Sequence, residues 1–367
     1  MPIEPAGDPA ASGSPAARDS GRKLPRVQIL RLIAAGAVIL SHALGTSGTY
    51  YGDRAWIMEI FRHGDLGVDL FFVISGFVIG LSVLRGHGDW RQFLLRRLAR
   101  IVPLYWLVTL FTACLFFVPG LSRTAAPEPG FFLCSLSYSC WMQGEMPIVY
   151  PGWSLEYEMY FYVLTVAMLA LRQDLLRSTV AILSGLVVLG VMMRASMGIL
   201  SPALAFLTDP IVLEFVMGLA IAFAFHNGKV PVVALIPLIV ALLLCVIAGG
   251  DRSFRLAVAG VPSALIVYLT ARRDLQKPMA NAGRNPFVWL GDASYAIYLV
   301  HAVVVSATVK VALKLAGAMP QDLVILLCLA TTLAAAAVVD LFVDRPIARF
   351  LNRLLKGKSK KPVLRGG

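Results

Sequence analysis

Roughly ten apolar runs, each about 20 residues long, dominate the sequence, and a run of that length crosses the hydrocarbon core of a bilayer as a helix. They fall near 27–46, 66–84, 103–119, 153–171, 178–196, 208–226, 230–248, 254–271, 287–315 and 322–343. A chain built this way can fold only as an all-α integral membrane protein, because helices satisfy their own backbone polar groups in lipid. Composition agrees: of 367 residues, 58% are hydrophobic and 15% charged, too little charge to solvate one water-soluble core. The apolar segment 131–142 is too short to cross and is expected in a loop. The ninth run is long enough to be tilted or broken.

The distribution of basic residues sets the expected orientation. With the N-terminus inside, the inner segments hold 24 Lys and Arg and the outer segments hold 6. Cytoplasmic loops carry such an excess, so both termini are expected in the cytoplasm of a bacterial inner membrane. The net charge of +12 therefore reflects membrane flanks rather than a nucleic-acid surface. The expected organisation is a flexible tail over 1–26, a membrane domain over 27–343 and a basic tail over 344–367. Arg22, Lys23 and Arg26 directly precede the first apolar run, which suits an uncleaved helix better than a signal peptide. The five cysteines show no metal-ligand spacing, and no metal is expected. Cys134 and Cys140 flank an outer segment and can pair in an oxidising compartment, but nothing else signals a disulfide scaffold, so free thiols are the expectation.

Ionisable groups inside a span are costly and mark functional candidates. Arg31 and His42 share the first span, eleven residues apart, which places them about 20° from the same face and about 16 Å apart along the axis. A snorkelling arginine and a hydrogen-bonded core histidine are the bland reading. Asp69 opens the second span at the expected depth of His42, where a carboxylate can hold an imidazole in one tautomer. Ser75 and Gly76 suit helix packing. Arg97 and Arg100 project from neighbouring helical positions and can bind phosphate, or simply form part of a positive-inside cluster. Glu156 suits a helix N-terminal dipole. Glu158 lies deeper among aromatics, and His301 is central in its run. His42, Asp69, Glu158 and Glu214 are expected toward the outer leaflet, with Arg31, Arg97 and Arg100 toward the cytoplasm.

Five stretches together resemble the acyltransferase 3 family of membrane-bound O-acyltransferases, in particular its ExoZ-like exopolysaccharide-modifying members. They are Arg31 with His42, Gly67 to Phe77, Arg97-x-x-Arg100 followed by Pro103-Leu104-Tyr105-Trp106, Trp153 to Tyr162, and Gly291 to His301. The resemblance implies transfer of an acyl group, usually acetyl, from cytoplasmic acetyl-CoA to a hydroxyl of an extracytoplasmic or lipid-linked glycan. It makes His42 the catalytic histidine, Arg31 its paired arginine and Arg97 and Arg100 the cytoplasmic phosphate-binding pair. It also places the family's glutamate at Glu158. Asp69 or Glu158 would then orient the imidazole, and Ser75, Trp153, Tyr295 and His301 are supporting candidates. Many family members carry an appended hydrolase-like domain; this chain ends in a basic tail, so separate partners from the polysaccharide-synthesis machinery are expected. The competing class is a secondary transporter of a glycan intermediate or organic anion, for which intramembrane charges are equally at home.

Overall fold

A computed structural model describes residues 24–52, 55–85, 89–118, 128–227, 232–315 and 319–358. In chain order the helices are α1 (Pro25–Tyr51), α2 (Gly67–Leu84), α3 (Trp90–Leu115), α4 (Pro129–Ser137), α5 (Gly152–Ala170), α6 (Leu175–Met197), α7 (Pro202–Leu207) and α8 (Val212–Asn227). They continue as α9 (Val232–Ala248), α10 (Asp251–Arg255), α11 (Val261–Gln276), α12 (Pro286–Asp292), α13 (Ser294–Leu315), α14 (Gln321–Val339) and α15 (Arg345–Lys358). No strand occurs among the described residues. Among the described residues, eight helices, counting stacked elements as one, are long and apolar enough to cross a membrane. Helix α9 is shorter, and α5, with Glu156, Glu158 and three tyrosines, lies outside that set.

Several boundaries differ from the sequence expectation for local reasons. Helix α3 starts at Trp90, well before residue 103, because the Asp89 side chain accepts from the Arg91 backbone N–H at 2.9 Å and caps it. Its basic residues are therefore helical, and Pro103 lies inside the helix. Segment 131–142 is partly the short helix α4. The ninth run breaks at Ala293, between α12 and α13. Residues 256–260 and 340–344 form π-turns, a geometry frequent at functional sites. The expected C-terminal tail is helical over Arg345–Lys358. Most of the expected N-terminal tail lies outside the described residues.

Close backbone approach organises the bundle. Between α2 and α8, a Cβ added at Gly76 would lie 2.1 Å from the Phe215 carbonyl oxygen, and one at Gly218 would lie 2.0 Å from that of Val73. Small residues permit such contact, which replaces the absent hydrophobic drive between helices in lipid. At the opposite end of α1, Arg26 donates from its backbone N–H and from Nη1 to Asp274, both at 2.9 Å, pinning α1 to α11. Large apolar side chains such as Phe111, Val163 and Leu243 face outward and exposed, as a bilayer-facing surface requires.

The loop between α3 and α5 is stapled. Cys134 and Cys140 form a disulfide, against the expectation of free thiols. The left-handed Tyr138 at the end of α4 turns the chain back so that the two cysteines meet. Tyr105 of α3 stacks on Tyr138 at 4.6 Å and donates to the Ser135 carbonyl at 2.9 Å. Glu156 is also buried rather than merely facing a helix end: it accepts the Cys140 backbone N–H at 2.8 Å. Closing so short a loop constrains the unfolded chain by about 2 kcal/mol. Replacing both cysteines with serine is expected to lower the melting temperature by a few degrees, and an unchanged melt would show that the surrounding hydrogen bonds suffice.

Candidate functional site

A cavity of about 600 Å³ opens among α1, α2, α3, α5, α12, α13 and the start of α15. Arg31, Arg96, Arg97, Arg100 and Arg345 line it, as do Glu158, Asp292 and Asp340. Five guanidinium groups around one cavity suit a polyanion, since each offers a planar fork of donors to phosphate. The arginines are held in place by their surroundings. Arg97 lies over the Phe93 and Tyr162 rings at 5.4 and 5.8 Å, and Arg100 donates to the Asp292 carbonyl at 3.4 Å. Arg345 pairs with Asp340 at 2.6 Å and lies over the Trp289 ring at 5.2 Å.

Glu158 is in this cavity too, on the arginine side and not in an outer cluster with His42. Its Oε1 accepts from Ser75 at 3.1 Å and from Tyr162 at 2.5 Å. Ser75 thus holds a cavity carboxylate, a contact beyond simple helix packing. Tyr295 also lines the cavity and donates to the Ile101 carbonyl at 2.6 Å, while Trp153 packs edge-on against Phe72 outside it.

His42 and His301 form a hydrogen-bonded pair behind Tyr298, outside the cavity lining. His42 Nδ1 and His301 Nε2 are 2.7 Å apart, and the rings stack at 5.0 Å. His301 Nδ1 lies 2.5 Å from the Tyr298 carbonyl oxygen. A carbonyl only accepts, so with both rings neutral the Nδ1 of His301 carries its proton. His301 Nε2 is then the acceptor, His42 Nδ1–H the donor, and His42 Nε2 keeps its lone pair. This tautomer assignment follows from the hydrogen-bond network. Tyr298 links the pair to the cavity: it lines the wall and exchanges a 2.8 Å hydrogen bond with Ser154. On the other side, the Tyr150 ring meets His42 edge-on at 5.3 Å and lines a second cavity.

Asp69 does not orient His42. The segment before α2 folds inward along α1, so closely that a Cβ at Gly64 or Gly67 would lie 2.2 or 2.5 Å from the carbonyl oxygens of Ala37 and Ala34. Helix α2 thus begins about two turns inward of His42. There Asp69 is fully buried and receives Arg255 Nε at 3.0 Å and Nη2 at 2.7 Å, while Arg255 Nη1 reaches Asp65 at 2.7 Å. Glu214 is fully buried beside this cluster. Arg255, Tyr298 and Ser154 are functional neighbours that the sequence candidates do not include. The last two lie inside the stretches that carry the resemblance, whereas nothing local marks Arg255 as the partner of Asp69.

Fold and site define a multi-pass helical membrane protein with a cationic cavity and, behind its Tyr298 wall, a histidine pair. The chain belongs to the acyltransferase family whose profile, described as an acyltransferase domain, matches residues 24–340. It is similar to the exopolysaccharide production protein ExoZ of Rhizobium meliloti, 30% identical over 79% of this chain and 91% of that protein. The acyltransferase MdmB of Streptomyces mycarofaciens is 26% identical over 77% of this chain and 79% of its own length. The peptidoglycan O-acetyltransferase OatA of Listeria monocytogenes is 24% identical over 94% of this chain and 59% of its own. No solved structure matches the chain.

Proposed function

We propose that this protein is a bacterial inner-membrane O-acyltransferase that carries an acyl group, acetyl in the first instance, from cytoplasmic acyl-CoA to a hydroxyl of an extracytoplasmic or lipid-linked glycan. One observation carries the reading: the His42–His301 pair lies between Tyr298, which walls the arginine-lined cavity and whose carbonyl meets His301, and Tyr150, which lines a second cavity and packs edge-on against His42. The glycan acceptor follows the names of ExoZ and OatA. A transporter has no comparable support, since the chain belongs to an acyltransferase family.

The eight long helices together with α5 and α9 support a count of ten spans. The excess of basic residues in alternate loops supports cytoplasmic termini. The Cys134–Cys140 disulfide supports the same orientation, because disulfides persist in oxidising compartments outside the cytoplasm.

In the proposed mechanism Arg31, Arg96, Arg97, Arg100 and Arg345 hold the CoA phosphates, and the thioester reaches past Tyr298 toward His42. His42 Nε2 takes the proton of the acceptor hydroxyl as its oxygen attacks the thioester carbonyl. The tetrahedral intermediate collapses, the C–S bond breaks, and the imidazolium returns its proton to the departing sulfur. His301 fixes the ring and its tautomer, as the orienting member of a catalytic triad does. Transfer through an acyl-imidazole at the same nitrogen is the other route, and ping-pong kinetics distinguishes it. Glu158, held by Ser75 and Tyr162, balances the arginines and keeps their side chains spread for phosphate.

Replacing Arg97 or Arg100 with alanine is expected to weaken acetyl-CoA binding at least tenfold, since a hydrogen bond to a charged group contributes about 1.5–3 kcal/mol. Equilibrium binding of labelled acetyl-CoA in nanodiscs reads this directly. Unchanged affinity in the double variant would remove the donor assignment of this cavity.

A further inference from the structure

Ser294 borders the arginine-lined cavity and is fully buried, yet its hydroxyl has no hydrogen-bond partner among the described residues. Its place in the chain explains why. A serine inside a helix can fold back onto the preceding turn, as Ser306 does onto the Ala302 carbonyl at 2.9 Å. Ser294 is the first residue of α13, just after the break at Ala293, so its own helix offers no preceding turn. A buried hydroxyl without a partner costs stability, and a cavity wall that keeps one suits a ligand that brings the acceptor.

The position of Ser294 selects the part of the ligand it meets. Asp292, two residues earlier, presents the carbonyl that accepts from Arg100 at 3.4 Å. Tyr298 follows Ser294 by four residues and His301 follows by seven, so all three share one face of α13. His301 is then about 10 Å further along the axis, and Ser294 stands between the arginines and the histidine pair. The next polar groups on this path are of the opposite kind. The Ser154 and Tyr298 hydroxyl protons are committed to one another and to the Pro151 carbonyl, at 2.8, 3.0 and 3.3 Å. That pair therefore offers oxygen lone pairs to the cavity, and Phe71, Phe72 and Leu155 make the wall around it apolar. A chain running from phosphates at the arginines to a thioester at His42 meets a free O–H first and acceptors next. The pantetheine arm of an acyl-CoA carries the complement: each of its amides presents a carbonyl and then, nearer the sulfur, an N–H. We infer that Ser294 is a pantetheine-binding residue, its hydroxyl donating to an amide carbonyl of the arm while the Ser154–Tyr298 pair accepts an amide N–H. The inference rests on the acyl-CoA reading of this cavity and names the groups that hold the arm between phosphates and imidazole.

The test compares two ligands on the full chain in nanodiscs: acetyl-CoA, and adenosine 3′-phosphate 5′-diphosphate, which keeps every phosphate of CoA and lacks the arm. Ser294→Ala is expected to weaken acetyl-CoA binding about three- to tenfold, the range of one hydrogen bond between uncharged groups. The same variant should bind the phosphate fragment with wild-type affinity. Its melting temperature without ligand should equal or exceed that of the wild type, because the hydroxyl removed had no partner. Ser294→Cys, a close match in volume with only a weak donor, is expected to behave like Ser294→Ala. Unchanged acetyl-CoA affinity in either folded variant overturns the inference. So does equal weakening for both ligands, which would assign the hydroxyl to a phosphate. Wild type that binds neither ligand would remove the donor reading of the cavity and the inference with it, whereas the variant outcomes bear on Ser294 alone.

Discussion

His42→Ala is expected to lower acyl transfer by about 10²- to 10⁴-fold, the range that a positioned general base supplies, in a protein that still folds. Acetyl-CoA affinity should stay near wild type, because the arginines line the cavity and His42 lies beyond its wall. The effect therefore belongs in kcat. His301→Ala is expected to give a smaller loss in the same direction: His42 Nδ1–H loses its acceptor at 2.7 Å, so the ring is free to rotate and to adopt the other tautomer. Steady-state kinetics with labelled acetyl-CoA, beside a thermal melt for each variant, separates these effects from unfolding. Full activity in His42→Ala would place the chemistry elsewhere.

The second large effect concerns stability. Arg255→Ala leaves Asp69 buried, charged and without its guanidinium, next to the buried Glu214. Removing one partner of a buried ion pair costs about 3–5 kcal/mol. The variant is expected to accumulate poorly and to lose its monodisperse size-exclusion peak. Replacing both partners, Arg255→Met with Asp69→Leu, should restore much of the stability, since an apolar pair of similar volume leaves no buried charge. If the double variant folds but cannot transfer, Asp69 has a chemical role beyond its ion pair. If Arg255→Ala melts like wild type, the cluster is solvated and the energetic assignment is wrong.

Properties carried by contiguous residues are legible in the sequence itself. Apolar runs announce membrane helices, and the spacing of Arg97 and Arg100 places them together on α3. The cap at Asp89, which starts α3 early, is equally local and readable. What the sequence hides are pairings across long separations. His42 and His301 lie 259 positions apart, and Asp69 and Arg255 lie 186 apart. Asp69 reads as a partner for His42 only when depth is counted from an ideal span. The inward fold before α2, made possible by Gly64 and Gly67 against the α1 backbone, shifts that depth by about two turns. Glu158 departs from its expected place for a similar reason: its contact with Tyr162 is local on α5, but Ser75 lies 83 positions away and the other walls of the arginine cavity come from distant helices. The disulfide depends on the left-handed turn at Tyr138, a residue type with no special preference for that conformation.

The central claim is that donor and acceptor meet at one histidine pair from opposite faces of the membrane. Sealed proteoliposomes test it most directly, with labelled acetyl-CoA added outside and lipid-linked glycan confined to the inner leaflet. Acetyl-CoA does not cross the bilayer, so only molecules whose arginine cavity faces outward are supplied. The account predicts label on the inner-leaflet glycan, dependent on His42 and abolished when the donor is omitted. Label appearing only when donor and acceptor share the same face would contradict it.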